Sequence, residues 1–278
     1  MIDAHQHFWT LSRGDYPWPN ETVAPIFRDF SPDDLRPLLA HAGVEQTVLV
    51  QATDTVAETE FLLELADANA FVAGVVGWVD LSAPTAIETI DRLRESRWLK
   101  GLRPMLQNIE DTNWILRPEI QPALAHMAKK GLRFDALIQP RHLKPLLEVA
   151  RAHPELNIVV DHVAKPHMGG GRAPDPAWLQ GMLALAGRAN VWCKLSGMVT
   201  EIGPQWQPGD IGPFARHVLD AFGPARTMWG SDWPVVDLAS DYQTWVETAR
   251  ILTADLNEMD RERVFEGTAR AFYGLEQA

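Results

Sequence analysis

The chain has 278 residues, 46% of them apolar, which is enough for one large domain with a sizeable core. Its 25 basic and 37 acidic residues give a net charge of −12, which argues against nucleic acid as a partner because phosphate binding requires a basic surface. The one cysteine, Cys193, excludes an intrachain disulfide and is typical of a reducing compartment. The sequence has no apolar run of 18 residues and opens on a strand pattern, not on a signal peptide, so we expect a cytoplasmic protein without a membrane span.

Short apolar runs typical of strands alternate along the chain with longer amphipathic runs typical of helices. Eight strands are predicted, at Ile2–His7, Thr47–Gln51, Val72–Val79, Leu99–Arg103, Arg133–Ile138, Asn157–His162, Val191–Leu195 and Thr227–Asp232. Helices are predicted at residues 31–40, 56–69, about 82–93, 119–130, 142–152, 176–188, 211–222, 241–253 and 261–273.

Eight alternating units predict parallel strands with right-handed crossovers, closed into a (β/α)8 TIM barrel that forms a single domain over residues 1–278. An open doubly wound sheet is the alternative, and a glycine-rich phosphate loop after the first strand would favour it. Two long irregular stretches, Phe8–Phe30 and Ala164–Pro176, each follow a predicted strand. We expect both stretches at the face of the barrel that carries active sites. There they either form walls of the substrate site or are simply exposed to solvent.

His5 and His7 are alternate residues at the end of the first predicted strand. Alternate side chains on a strand point to the same face, about 6.6 Å apart along it, so the two imidazoles can converge on one metal ion. The other interpretation is a structural, hydrogen-bonded pair.

His162 and Asp232 end the sixth and eighth predicted strands and belong to the same predicted site. In a closed barrel strand eight lies beside strand one, so Asp232 can ligate a metal ion with His5 and His7 or accept a proton from water. A structural histidine and an aspartate that caps a loop are the alternatives.

Other polar residues at strand ends are predicted around this site. Arg103, at the end of the fourth strand, can stabilise an oxyanion or form an ion pair in the barrel. Lys194, in the seventh strand, is either a substrate-binding residue or half of a buried pair. The remaining substrate-binding candidates are Gln51, Lys165, Trp233 and Trp9, with Trp18 and Trp114 as further rings that could stack on a ligand. A serine nucleophile is not expected, because the chain has no Gly-x-Ser-x-Gly motif.

The motifs His5-Gln6-His7, Asp161-His162 and Gly230-Ser231-Asp232-Trp233-Pro234 together resemble the amidohydrolase superfamily, and within it the amidohydrolase 2 branch of sugar lactonases. The resemblance extends over essentially the whole chain. It implies hydrolysis of a sugar-acid lactone, of the L-fucono-, L-rhamnono- or galactono-lactone type, to the aldonic acid. It also implies that Asp232 activates the water, with His162 and Arg103 as the other catalytic residues.

The chain departs from the two-metal members of that superfamily, which have a Lys or Glu at the end of strand four and a His at the end of strand five. Arg103 and Gln139 stand there in this sequence. We therefore expect one divalent ion, preferably Zn²⁺, on His5 and His7 with His162 or Asp232, or no essential ion.

Other functions and the oligomeric state stay open on the sequence alone. A lactonase for pyrone dicarboxylates, a metal-dependent decarboxylase of the same superfamily and a non-catalytic barrel that binds sugar acids are the alternatives. Apart from a small-molecule lactone, the one further partner considered is a second copy of the chain, in a homo-oligomer.

Overall fold

The computed structural model describes residues 1–276 and contains one eight-stranded sheet in which every paired strand is parallel to its neighbour. The strands follow chain order around the sheet, as the sequence predicts for a (β/α)8 barrel. They are β1 Ile2–Gln6, β2 Gln46–Val50, β3 Val72–Gly77, β4 Leu99–Leu102, β5 Arg133–Ala136, β6 Ile158–Val160, β7 Val191–Leu195 and β8 Thr227–Trp229.

The segment after β8 closes the barrel against β1. Asp232 N donates to His5 O at 2.8 Å, and His7 N donates to Trp233 O at 2.7 Å. These bonds bring the two ends of the sheet together and exclude the open doubly wound alternative. They also place the first histidines of the chain beside Asp232, as the closed barrel predicts.

The helices pack outside the strands, and most begin and end close to their predicted bounds. They are α1 Pro32–Ala42, α2 Val56–Ala68, α3 Ala86–Leu93, α4 Gln121–Lys129, α5 Leu143–Ala152, α6 Pro176–Ala186, α7 Pro208–Phe222, α8 Tyr242–Leu252, α9 Glu258–Glu262 and α10 Thr268–Tyr273. At the start of α1, Asp34 accepts a hydrogen bond from Ser31 N at 2.8 Å, which satisfies a backbone donor that the helix leaves free. No helix within residues 1–276 combines the length and the apolar character needed to cross a membrane.

Two predicted features are corrected by the structure. The last helix is not continuous, because a π-helical turn at Arg263–Gly267 separates α9 from α10. Four predicted strands are also at least two residues too long, since β3 ends at Gly77, β5 at Ala136, β6 at Val160 and β8 at Trp229. His162 and Asp232 both have a positive φ, a conformation that a strand does not accommodate.

The helix α10 lies at the base of the barrel, where the strands begin. Phe272, Tyr273 and Leu275 pack there against Ile2 and other inward-facing apolar residues of the strands. Most strand residues are buried, which is typical of a parallel sheet with helices outside and side chains filling its interior. The base is therefore filled, and chemistry is confined to the opposite end.

Candidate active site

Three imidazoles surround the carboxylate of Asp232 at the open end of the barrel. Its Oδ1 atom lies 3.3 Å from His7 Nε2, 3.6 Å from His5 Nε2 and 3.8 Å from His162 Nε2. All four residues are at most 4% exposed. The structure thus brings together the four residues that the sequence predicts as metal ligands.

Left-handed backbone turns aim two of these side chains into the site. The φ of Asp232 is 59°, and the four residues from His162 to Lys165 have φ values of 51°, 48°, 63° and 46°. This conformation costs an L-residue roughly 1–2 kcal/mol, so packing and hydrogen bonds must maintain it. One such bond runs from Trp178 Nε1 to Val163 O at 2.9 Å.

The loop after β7 supports the ring of His162. Ser196 Oγ lies 2.9 Å from His162 Nδ1, and Gly197, with a φ of 60°, lies directly behind the ring. A Cβ atom at position 197 would be 2.5 Å from His162 Nδ1, so only glycine fits this approach. The Lys194-Leu195-Ser196-Gly197 segment therefore helps to hold the ring of His162 in place.

A buried carboxylate, Asp3, ties β1 to the segment that carries Asp232. It accepts hydrogen bonds from His5 N at 3.1 Å, from Ser231 N at 2.8 Å and from the hydroxyl of Tyr242 at 3.1 Å. Burial raises the pKa of Asp3 to about 6, although these hydrogen bonds oppose the shift. Asp3 therefore fixes the position of β1, which carries His5, relative to the segment that carries Asp232.

Burial and neighbouring groups determine the charges in the site. Burial lowers the pKa of His162 to about 4, and burial together with the charge of Lys194 lowers the pKa of His5 well below its usual value. Burial alone would raise the pKa of Asp232, but the neighbouring imidazoles, His162 first, outweigh it and hold that pKa below its usual range. At neutral pH Asp232 is therefore a carboxylate beside uncharged His5 and His162.

Arg103 lies beside the imidazole of His5 and also borders the cavity. Its Nη1 atom is 3.3 Å from His5 Nε2 and 3.4 Å from Asp161 Oδ2. Gln51 holds the guanidinium, because its Oε1 accepts from Arg103 Nη2 at 2.9 Å and its backbone oxygen accepts a further bond from the same nitrogen. A positive charge is thus fixed next to the cluster.

A cavity of about 390 Å³ opens onto the cluster and is of the size typical for small ligands. Its lining residues are His7, Pro17, Trp18, Arg103, Met105, Gln107, Asn108, Leu137, His162, Lys165, Asp232 and Val235. A larger groove of about 880 Å³ lies between α5, α6 and the loop before α6, but its lining does not include His5, His7, His162 or Asp232. The chemistry is therefore associated with the smaller cavity.

Two of the predicted ligand-contacting residues, Lys165 and Trp18, line this cavity, and the others, Gln51, Lys194, Trp9, Trp114 and Trp233, do not. Lys165 lines it and pairs with Glu201 at 2.9 Å. Gln51 and Lys194 are fully buried and contact other site residues. Trp9 and Trp233 are buried in the aromatic packing around Phe30, and Trp9 Nε1 donates to a backbone oxygen. Direct contact of these other residues with substrate thus stays a prediction without support from their placement.

Several residues of the site were not singled out from the sequence. Asp161 lies within 3.5 Å of His5 Nδ1, and its place directly before His162 was the available signal. Asp3 is two residues before His5, so its side chain points to the same face of the strand as that of His5, and this alternation was the available signal. Met105, Gln107 and Asn108 follow β4 in and next to a short 3₁₀ turn at Leu106–Asn108, which is too short for a sequence period to indicate which side chains face the cavity.

The donor atoms around Asp232 fit one divalent ion. A carbonyl oxygen only accepts hydrogen bonds, so the 2.8 Å contact with Val50 O places the hydrogen of a neutral His7 on Nδ1 and leaves a lone pair on Nε2. That lone pair faces Asp232 Oδ1 at 3.3 Å, and two acceptors at this distance favour a cation between them. Ligands of a tetrahedral zinc ion lie about 3.3 Å apart, close to the separations around Asp232 Oδ1.

A second group of potential ligands, His5, Asp161 and His162, also converges. The ammonium of Lys194 already lies 3.0 Å from Asp161 Oδ1 and 3.2 Å from His5 Nδ1. A protein cation thus occupies this side of His5, and the donors around Asp232 are the better metal site.

The chain is similar over nearly its whole length to proteins of known family. An L-fucono-1,5-lactonase from Burkholderia ambifaria is 46% identical to this chain, and the alignment covers 99% of the chain and 96% of that protein. An L-fucono-1,5-lactonase from Burkholderia multivorans is 35% identical with the same two coverages. A crystal structure of an amidohydrolase from Burkholderia multivorans with bound zinc has a TM-score of 0.92 at 34% identity and covers 99% of each chain. The sequence model described as amidohydrolase matches residues 2–275, and the chain belongs to that family.

Proposed function

We propose that this protein hydrolyses a sugar-acid lactone to the aldonic acid, with L-fucono-1,5-lactone as the first candidate substrate. The observation that carries the proposal is the side chain of Asp232 at the wall of a cavity of ligand size, surrounded by three imidazoles. The two L-fucono-1,5-lactonases similar to this chain over nearly its full length support the choice of lactone.

Asp232 is the general base in this proposal. Its carboxylate accepts a proton from water as the water oxygen bonds to the lactone carbonyl carbon. The guanidinium of Arg103, fixed by Gln51, stabilises the negative charge that develops on the carbonyl oxygen. The bond between the carbonyl carbon and the ring oxygen then breaks, and the proton on Asp232 passes to the ring oxygen, which becomes the new hydroxyl group.

The lining of the cavity suits a polyhydroxylated ring with one apolar side. Gln107 and Asn108 offer hydrogen-bonding groups, whereas Trp18, Met105 and Leu137 offer apolar surface. The two cationic side chains of the lining are both paired, Arg103 with Asp161 and Lys165 with Glu201. A dicarboxylate would require cations free to bind it, so the lining favours a neutral lactone over a pyrone dicarboxylate.

His5, His7 and Asp232 would hold one divalent ion, with His162 beside them, and zinc is the proposed ion. A bound zinc ion would supply Lewis-acid chemistry to a carbonyl oxygen or a water. The zinc in the related Burkholderia multivorans structure supports this choice.

The test is a pH-indicator assay of acid release from L-fucono-1,5-lactone, L-rhamnono-lactone and galactono-lactone, each corrected for spontaneous hydrolysis. We expect turnover of at least one lactone, and a loss of about 10²–10⁴-fold in kcat for Asp232→Asn because the general base is removed. Asp237→Asn, on the same segment but outside the cavity lining, is the matched control and should keep normal turnover. An active Asp232→Asn protein would contradict the base role, and a lack of acid release from every lactone would contradict the function.

A further inference from the structure

Gln107 and Asn108 contribute two side-chain amides to the wall of the catalytic cavity. Within residues 1–276, neither amide forms a hydrogen bond with another residue, so both can bind hydroxyl groups of a ligand. Because no side-chain contact of this kind fixes them, the backbone of residues 107–112, the amide loop, determines where they lie.

Arg141 binds the amide loop at four points. The guanidinium donates to four acceptors spread over the loop, which are Gln107 O at 3.2 Å, Ile109 O at 2.9 Å, Glu110 O at 3.1 Å and Thr112 Oγ1 at 2.9 Å. Hydrogen bonds from a charged donor are stronger than those between neutral groups, and the planar guanidinium fixes its acceptors relative to one another. One side chain therefore determines the shape of the whole loop.

Arg141 is itself anchored outside the amide loop. It lies in the short turn Pro140–His142 directly before α5, and its Nε atom donates to Gln139 Oε1 at 3.1 Å. Together with the four bonds to the loop, this contact uses all five hydrogens of the guanidinium. Arg141 also borders the groove of about 880 Å³, but it has no further hydrogen to donate to a ligand there. Its contacts therefore serve the amide loop and not a second binding site.

The protein provides few other donors to the amide loop. In the part of the chain that the structure describes, no backbone N–H donates to the carbonyl oxygens of Gln107, Ile109 or Glu110. Gln107 N donates to Leu137 O at 3.1 Å, but that bond fixes only the start of the loop. Without Arg141 the three carbonyl groups would bind water instead, and the loop beyond Gln107 would open more readily.

We propose that Arg141 is a positioning residue that holds the amide loop so that Gln107 and Asn108 bind hydroxyl groups of the sugar ring. Arg141 does not line the catalytic cavity, so it contributes to the choice of substrate without touching the substrate. The inference rests on the proposed function for the identity of the ligand, whereas the attachment of the loop to Arg141 is independent of it.

The first test, hydrogen–deuterium exchange of the free protein, requires no lactone. The backbone amides of residues 107–109 donate to backbone oxygens, so they are protected in the native protein. In Arg141→Lys, a peptide over residues 105–114 should exchange about tenfold faster, the effect of losing one net hydrogen bond. Arg151→Lys, exposed on α5, is the matched control and should exchange as the native protein does. Equal exchange by the two variants would overturn the proposal.

The second test separates binding of the lactone from its hydrolysis. Arg103 is fixed by Gln51, and Asp232 by its backbone bond to His5, so neither depends on the amide loop. Arg141→Lys should therefore raise the KM for L-fucono-1,5-lactone about tenfold and leave kcat within about twofold of the native value. A lower kcat at unchanged KM would contradict the positioning role.

A lactone without hydroxyl groups is the control on the ligand side. δ-Valerolactone has a six-membered lactone ring and no hydroxyl group for the two amides to bind. Its inhibition constant, measured in competition with L-fucono-1,5-lactone, should be the same for the native protein and Arg141→Lys. Equal weakening of both ligands would contradict the assignment of Gln107 and Asn108 to the hydroxyl groups.

The double variant Gln107→Ala/Asn108→Ala tests whether Arg141 acts through the two amides. Its KM should be raised, and the addition of Arg141→Lys should raise KM by less than about twofold more, because residues that act together are not additive. Additive effects would mean that Arg141 acts by another route. If the native protein hydrolyses no lactone, the proposed function fails, but the exchange test still decides whether Arg141 holds the loop.

Discussion

At the scale of single residues, the site depends on small residues behind the imidazoles as much as on the imidazoles themselves. Gly197 leaves room for the ring of His162, and Gly230 lies against β1, where an added Cβ would be 2.7 Å from His5 Cβ. In both places the backbone of one strand end approaches a histidine of another. A side chain at either glycine would therefore displace a group that faces Asp232.

We expect Gly197→Ala to reduce turnover far more than it reduces stability. The added methyl group would displace His162, and misplacement of a catalytic group by about 1 Å can cost roughly 10²-fold in rate. Gly203→Ala is the matched control, since Gly203 also has a positive φ, of 92°, but no atom lies within 4 Å of an added Cβ. Both variants should lose about 1 kcal/mol of unfolding free energy to backbone strain, measured in urea. Equal turnover of the two variants would contradict the positional role of Gly197.

At the scale of elements, a helix holds the loop that follows β2. Glu58, in the first turn of α2, accepts hydrogen bonds from Ala52 N and Thr53 N, each at 2.9 Å. Burial raises the pKa of Glu58 to about 7, despite these bonds. The loop lies next to Gln51, the residue that holds Arg103, so α2 supports the site indirectly.

Because the pKa of Glu58 is raised, the free energy of unfolding should depend on pH, and the direction of the change follows from the shift. The folded protein holds the proton more tightly than the unfolded chain, so the stabilisation is complete below about pH 4.5 and is lost as the pH rises through about 7. Relative to Glu58→Gln, the native protein should lose about 3 kcal/mol of unfolding free energy between pH 4 and pH 8. Glu64→Gln, exposed on the same helix, should show no such difference in urea unfolding at the two pH values. A constant difference between native and Glu58→Gln proteins would mean that folding does not raise the pKa of Glu58.

The number and order of strands could be predicted from the sequence, whereas the ends of four strands could not. Apolar periods and the Ser31-Pro32 start of α1 are local signals, and they predicted the barrel. The turns that carry His162 and Asp232 depend on distant contacts such as the bond from Trp178 to Val163, which no local pattern reveals.

The sequence also could not predict how deep in the barrel an inward-facing side chain lies. Alternation along β7 indicates that Lys194 faces the interior, but it does not indicate whether the side chain reaches the cavity or lies beneath it. The structure places Lys194 beneath the cavity, on Asp135 and Tyr273. Residues near the middle of a strand are thus the hardest to assign to a ligand or to the core.

At the scale of the whole molecule, the proposed metal site joins distant parts of the chain. His5 lies in β1, His7 follows β1 and Asp232 follows β8, so only the folded barrel brings the three side chains together. An ion that binds the folded chain alone stabilises it in proportion to the logarithm of its concentration.

Zinc should therefore raise the unfolding temperature of the chelator-treated protein. At a concentration 100-fold above its Kd, the stabilisation is about 2.7 kcal/mol, or roughly 5–10 °C for a chain of this size. His7→Asn should abolish the rise, whereas His41→Asn, exposed on α1, should leave it intact. If zinc raises the unfolding temperature of His7→Asn equally, the ion binds elsewhere.

The hydrogen bonds between β1 and the segment after β8 have a consequence for synthesis on the ribosome. His5 O and Asp232 N are separated by most of the chain, so β1 emerges long before the partner that closes the sheet against it. Until then its free edge is exposed and open to pairing with other chains. A message cut short before the codons for β8 would yield a polypeptide with an open sheet and no assembled site, not an enzyme of reduced activity.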